Sequence, residues 1–139
     1  MTCINSYLTF NGNCREAMTF YQHCLGGELS FETIGESEHA DKMPNHMKRS
    51  IMHAVLAKDE LVIMATDMVE ERGLIRGNAI AMMLSCSSEE EARSFYNKLS
   101  TGGQPSHPLE VTFLGALFGD LTDRFGNTWL INYDKNKYT

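Results

Sequence analysis

The sequence predicts an α+β fold made of two tandem βαβββ modules, residues 1–77 and 78–139 of a single domain. Three observations predict it. The segment Glu16-Ala17-Met18-Thr19-Phe20-Tyr21 returns half a chain length later as Glu91-Ala92-Arg93-Ser94-Phe95-Tyr96. The flanks keep register: Leu8 and Phe10 precede the first copy, Leu84 and Cys86 the second, and Leu99 answers Cys24. A Gly-Gly pair then closes each copy, Gly26-Gly27 and Gly102-Gly103. Repetition of a whole strand-helix unit constrains a fold more than any single motif does.

The elements follow in order. Ile4 to Phe10 reads as a strand and Asn11-Gly12-Asn13 as a turn. Asn13 and Glu16 have capping-box spacing at the start of a helix. Ala17, Phe20, Tyr21, Cys24 and Leu25 then form one apolar helical face, which Gly26 terminates. Glu28 to Thr33 is a second strand. The polar stretch Gly35 to Lys48 reads as an irregular loop in which His39 and His46 are solvated. Ser50 to Ala57 and Leu61 to Thr66 form a hairpin about a turn at Lys58-Asp59-Glu60, and Asp67 to Asn78 is a second polar loop.

The second module begins with a strand at Ile80 to Cys86. Ser88 and Glu91 form a capping box, and Ala92, Phe95, Tyr96 and Leu99 repeat the helical stripe. Short strands follow at Ser106 to Val111, Leu114 to Leu121 and Thr128 to Tyr133, the last two joined by a turn at Asp123 to Asn127.

The bulk properties exclude several functions. A net charge of −6 with scattered Lys and Arg leaves no cationic face, so nucleic acid is not an expected partner. No apolar run approaches the roughly 20 residues a membrane span requires, and no N-terminal signal sequence is visible. The cysteines Cys3, Cys14, Cys24 and Cys86 form no C-x-x-C pair. Cys14 and Cys24 would lie about 15 Å apart along one helix, too far for a disulfide. Reduced thiols and a cytoplasmic location are expected. Cys24 and Cys86 read as core residues; at Cys14 the helix dipole and Arg15 act to lower the pKa, but a reactive thiol is not the favoured reading. The chain carries no G-x-S-x-G elbow, H-E-x-x-H pair or phosphate-binding glycine loop.

The two-module plan resembles the vicinal oxygen chelate superfamily of glyoxalase I, extradiol dioxygenases and bleomycin-resistance proteins, and within it the PhnB-like group. The resemblance rests on Tyr7-Leu8-x-Phe10-Asn11-Gly12-Asn13-Cys14-x-Glu16-Ala17-x-x-Phe20-Tyr21, on Leu25-Gly26-Gly27 and on Ile51-Met52-His53-Ala54. The C-terminal part adds Gly115-x-x-Phe118-Gly119-x-x-x-Asp123-x-Phe125-Gly126-Asn127-x-Trp129-x-Ile131-Asn132. It implies curved mixed sheets around a pocket, a homodimer and a small organic ligand. One departure is Leu114 in Thr112-Phe113-Leu114-Gly115, where the group often has an aromatic residue. Sequences of this group are sometimes labelled ubiquinone-precursor methyltransferases. That chemistry needs a glycine-rich turn, alternating parallel strands and a much longer chain.

Metal-dependent superfamily members hold a divalent ion with His or Gln, Glu, His and Glu, and the ion acts as a Lewis acid on neighbouring substrate oxygens. By position along the matching strands, those places fall here on Asn5, Met64, Ala81 and Leu130. A thioether, a methyl and an isobutyl group do not hold a hard cation. The resemblance therefore implies a binding protein with no cofactor and no standard metal site. The alternative is a metal-dependent lyase, isomerase or dioxygenase with displaced ligands, drawn from His53, His107, Glu110, Asp67 and Asp120. The expected pocket lining is Asn5, Tyr7, His53, Met64, Met83, Phe113 and Leu130, an apolar surface with a few polar groups. Gly35–Lys48 and Asp67–Asn78 are expected to gate it.

Overall fold

The computed structural model describes residues 1–38, 40–70 and 72–137, so the solvated role expected of His39 lies outside the described residues. The chain divides into two compact units, Met1–Ile75 and Arg76–Thr139.

The first unit holds β1 (Ser6–Thr9), α1 (Cys14–Leu25), β2 (Glu28–Thr33), β3 (Ile51–Lys58) and β4 (Leu61–Thr66). Its sheet runs β1-β4-β3-β2, with β1 parallel to β4 and the other pairs antiparallel. The second unit repeats the plan with β5 (Met82–Ser85), α2 (Glu89–Ser100), β6 (Gln104–Val111), β7 (Leu117–Thr122) and β8 (Thr128–Tyr133). Its sheet runs β5-β8-β7-β6, again with one parallel pair, β5 with β8. The fold is thus α+β, two βαβββ modules each with a four-stranded mixed sheet.

Each helix covers one face of its own sheet. On α1 the buried stripe is Cys14, Ala17, Met18, Tyr21, Cys24 and Leu25. Met18 takes the place the periodicity gives to Phe20, which is only half-buried. The stripe packs on Ala54 and Leu56 of β3 and Ile63 and Ala65 of β4, all buried. Strand alternation then turns Tyr7, His53, Val55 and Met64 to the uncovered face. In the second unit Ala92, Tyr96 and Leu99 meet Leu121, Trp129 and Ile131. The repeated Gly-Gly pairs have a steric cause. A Cβ on Gly27 would stand 2.7 Å from the Ala57 carbonyl oxygen, and one on Gly103 would overlap the Thr122 carbonyl oxygen.

Several local expectations are corrected. Asn13 makes no side-chain cap. The start of α1 is held by Asp67 at the end of β4, whose Oδ1 accepts from the Gly12 and Cys14 amides at 2.9 and 3.0 Å while Oδ2 accepts from Ile51 N at 2.8 Å. Ser88 does cap α2, accepting from Glu91 N at 3.0 Å, but the Glu91 carboxylate returns to Ser87 N rather than to Ser88 N. β1 and β5 are shorter than their apolar runs, and Ile4 and Ile80 are exposed beside them. β7 starts at Leu117, not Leu114, because Thr112–Gly115 closes a turn in which Gly115 N donates to Thr112 O. Among the described residues, the stretch expected to be an irregular loop holds short 3-10 turns at Ile34–Glu36, Ala40–Lys42 and Asn45–Met47, the first capped reciprocally by Thr33 and Glu36.

Candidate functional site

A cleft of about 870 Å³ opens on the uncovered face of the first unit's sheet. That volume lies within the range of small-molecule sites. Tyr7 and Thr9 of β1, Met52 and His53 of β3 and Thr66 of β4 form the floor, and residues 68–70 and 72–75 form a wall.

The floor follows from register. Tyr7 is opposite Met64, and Thr9 is opposite Thr66, across the parallel β1–β4 pair. The Tyr7 and His53 rings meet across β4, with centroids 6.1 Å apart and planes inclined by 32°. Together they make a broad, polar-edged platform, an amphipathic surface suited to a flat ligand. Tyr7, on the edge strand β1, is 55% exposed, so its ring is open to a ligand in the cleft.

The wall is tied to the floor by Thr66. Its buried hydroxyl donates to Met52 O at 2.8 Å and accepts from Met68 N at 3.0 Å. Asp67 follows directly and binds three amides, so the chain leaving β4 is anchored before it enters the wall. Arg72 and Glu70 sit at the rim 3.5 Å apart, both largely exposed, a pair of little energetic weight.

The structure places the expected lining residues as follows. Tyr7 and His53 line the cleft, and Met64 shares their sheet face. Asn5 precedes β1 and is exposed. Met83, Leu130 and Phe113 belong to the second unit. Met83 pairs with Leu130 on the face away from α2, whereas Phe113 stands in the β6–β7 turn and is almost fully exposed. The sequence reading missed Thr9, Met52, Thr66 and Met68. Period-two alternation from Tyr7 and Met64 points to Thr9 and Thr66; nothing local marks Met68.

The residue set does not fit the superfamily's metal ion. Among the described residues, no three His, Cys, Asp or Glu side chains gather where they could hold one. His107 instead directs Nδ1 at Asp120, 2.9 Å from Oδ1. Asp67 spends both oxygens on backbone amides. Cys14 is not an activated thiol. It is fully buried, and desolvation, reinforced by the Asp67 charge, pushes its pKa up to about 12, against the lowering effect of Arg15.

The Asp123-x-Phe125-Gly126-Asn127-x-Trp129 motif is structural. The carboxylate of Asp123 is buried, accepts from Phe125 N at 2.8 Å and Asn127 N at 3.1 Å through Oδ1, and takes Trp129 Nε1–H at 2.7 Å on Oδ2. It locks the β7–β8 turn to the core.

Fold and sequence comparison agree on the class. A profile of the glyoxalase/bleomycin resistance protein/dioxygenase superfamily matches residues 4–131, and the chain belongs to that superfamily. Among individual relatives, it is 30% identical to protein YjdN of Escherichia coli (strain K12), with 98% of each chain covered. The crystal structure of protein PA1353 from Pseudomonas aeruginosa superposes with a TM-score of 0.83 at 38% identity, covering 96% of this chain and 98% of that one. A PhnB protein from Bacillus cereus, named as a 3-demethylubiquinone-9 3-methyltransferase, shares the fold with a TM-score of 0.72 at 22% identity, covering 96% and 100%.

Proposed function

We propose that this chain is a metal-independent small-molecule-binding protein, cytoplasmic and homodimeric, that holds an organic ligand on the Tyr7–His53 platform. The cleft carries the reading: an 870 Å³ hollow on a sheet face, floored by two rings and walled by Met68, Val69, Leu74 and Ile75. Its polar groups are of the kind that orient a ligand: the Tyr7 hydroxyl, the His53 imidazole, Thr9, Thr66 and, at the rim, the paired Arg72 guanidinium and Glu70 carboxylate. Met52 and Met68 add pliant thioethers that adapt to a ligand's outline. The free thiols at all four cysteines fit a reducing compartment.

Thermal-shift screening against a metabolite library, run with a chelator present, tests the reading. A ligand that raises the melting temperature of the wild-type chain is expected to bind about tenfold or more weakly to Tyr7→Ala, the loss of one stacked aromatic contact and its buried area. A hit that binds Tyr7→Ala and His53→Ala as tightly as wild type contradicts the cleft. Stabilisation that appears only when a divalent ion is added supports the metal-dependent enzyme instead. Light scattering on the purified protein should give twice the chain mass; a monomer contradicts the homodimer.

A further inference from the structure

We propose that His107 and Asp120 form a proton-accepting site on the open face of the second unit, one that takes a small molecule with an apolar body and a weakly acidic hydroxyl, such as a phenol. This goes beyond the cleft of the first unit and does not depend on it.

Four observations converge on His107. First, its Nδ1 lies 2.9 and 3.1 Å from the two Asp120 oxygens. With Nδ1–H donating to that carboxylate, the neutral ring carries its lone pair on Nε2, where it can only accept. Second, the imidazole is 77% exposed while its carboxylate partner is 22% exposed, so the orienting group is sheltered and the accepting nitrogen is not. Third, the backbone beneath is fixed. The Tyr96 hydroxyl reaches up from α2 to the carbonyl oxygens of both His107 and Asp120, at 2.9 and 3.2 Å. Fourth, β6 is irregular on both sides of His107, between Pro105 and His107 and between His107 and Glu110. Such bulges re-aim side chains and cluster near functional sites. Gly119 permits the close approach, since a Cβ there would stand 3.0 Å from the His107 carbonyl oxygen.

The surroundings select the ligand. Asp120 is opposite Leu130, and Leu130 opposite Met83, so an imidazole–carboxylate pair heads an apolar row across the sheet. The row spans on the order of 14 Å at ordinary strand spacing. The other nearby titratable group on this strand is Glu110, opposite Phe118. A bound hydroxyl would give its proton to Nε2: the O–H bond breaks, the Nε2–H bond forms, and the resulting imidazolium is stabilised by Asp120 as the ligand becomes an oxyanion.

The probe is 4-nitrophenol, whose phenolate is visible. Titrating it with the intact protein at fixed pH should give a saturable rise in phenolate absorbance. His107→Gln should weaken uptake about tenfold or more, as loss of one charge-assisted hydrogen bond requires. Asp120→Asn should do the same while the 15N spectrum of His107, read with the ring neutral, shows the proton moved from Nδ1 to Nε2. Lys98→Ala, an exposed position on α2 outside both sites, should change nothing, which separates this site from a general surface effect. Circular dichroism confirms that each variant is folded. Absence of saturable uptake, equal uptake by His107→Gln, or an Nε2–H tautomer in the wild-type chain would overturn the proposal.

Discussion

Cys14 shows how burial and a group distant in sequence outweigh a position's immediate neighbours. A helix N-terminus and an adjacent Arg15 argue for an activated thiol. Burial and the Asp67 carboxylate, which arrives from the far end of β4, argue the other way and win. Cys86 is likewise pushed up to about 12, by burial and then by Glu91. Both thiols therefore bind their protons more tightly in the folded chain than in the unfolded one. Their contribution is complete below the ordinary value of 9.0 and is lost as pH climbs from there towards 12. The urea midpoint should fall over that range, and fall less in Cys86→Ala; a midpoint flat to the top of the range contradicts the burial. At neutral pH only Cys3, the exposed cysteine, should react with a thiol reagent, and all four should react in denaturant. Asp67 itself could not be read from the sequence as a cap, because its partners at Gly12 and Cys14 lie a whole module-half away. Asp67→Ala strands three amides and should cost about 3 kcal/mol in urea unfolding. A loss under about 1 kcal/mol would mean water replaces the carboxylate.

Secondary elements were legible where pattern is local and strong. The two helices, the β2 strand and the β3–β4 hairpin follow from helical stripes, alternation and turn residues, because each signal sits inside the element it specifies. Ends were harder. Ile4, Ile80 and Leu114 extend apolar runs past the last ladder hydrogen bond, and hydrophobicity cannot tell a paired residue from an exposed one. The helix starts give a contrast to measure. Ser88 accepts from Glu91 N, whereas Asn13 makes no side-chain cap. Ser88→Ala should cost about 1 kcal/mol and Asn13→Ala only a few tenths. Equal losses would restore Asn13 as a cap.

For the molecule as a whole, duplication was the most informative thing in the sequence: it predicts the two βαβββ modules, and the profile match over residues 4–131 gives the superfamily. The site was less legible. Tyr7 and His53 belong to strands separated by β4, so only the register brings their rings within 6.1 Å. The wall residues 68–70 and 72–75 carry no period from which their position could be read. The central claim is that ligand binding occurs on this first-unit platform and needs no cation. The nine methionines supply probes for it, since Met52 and Met68 line the cleft, Met64 lies beside it and Met83 is in the second unit. The direct measurement is a ligand titration followed by the 13C-methyl spectrum of methionine-labelled protein in excess chelator. The account predicts that the Met52 and Met68 methyls shift and saturate together while Met83 stays still. Binding that vanishes in chelator and returns with a divalent ion, or shifts confined to Met83, would contradict it.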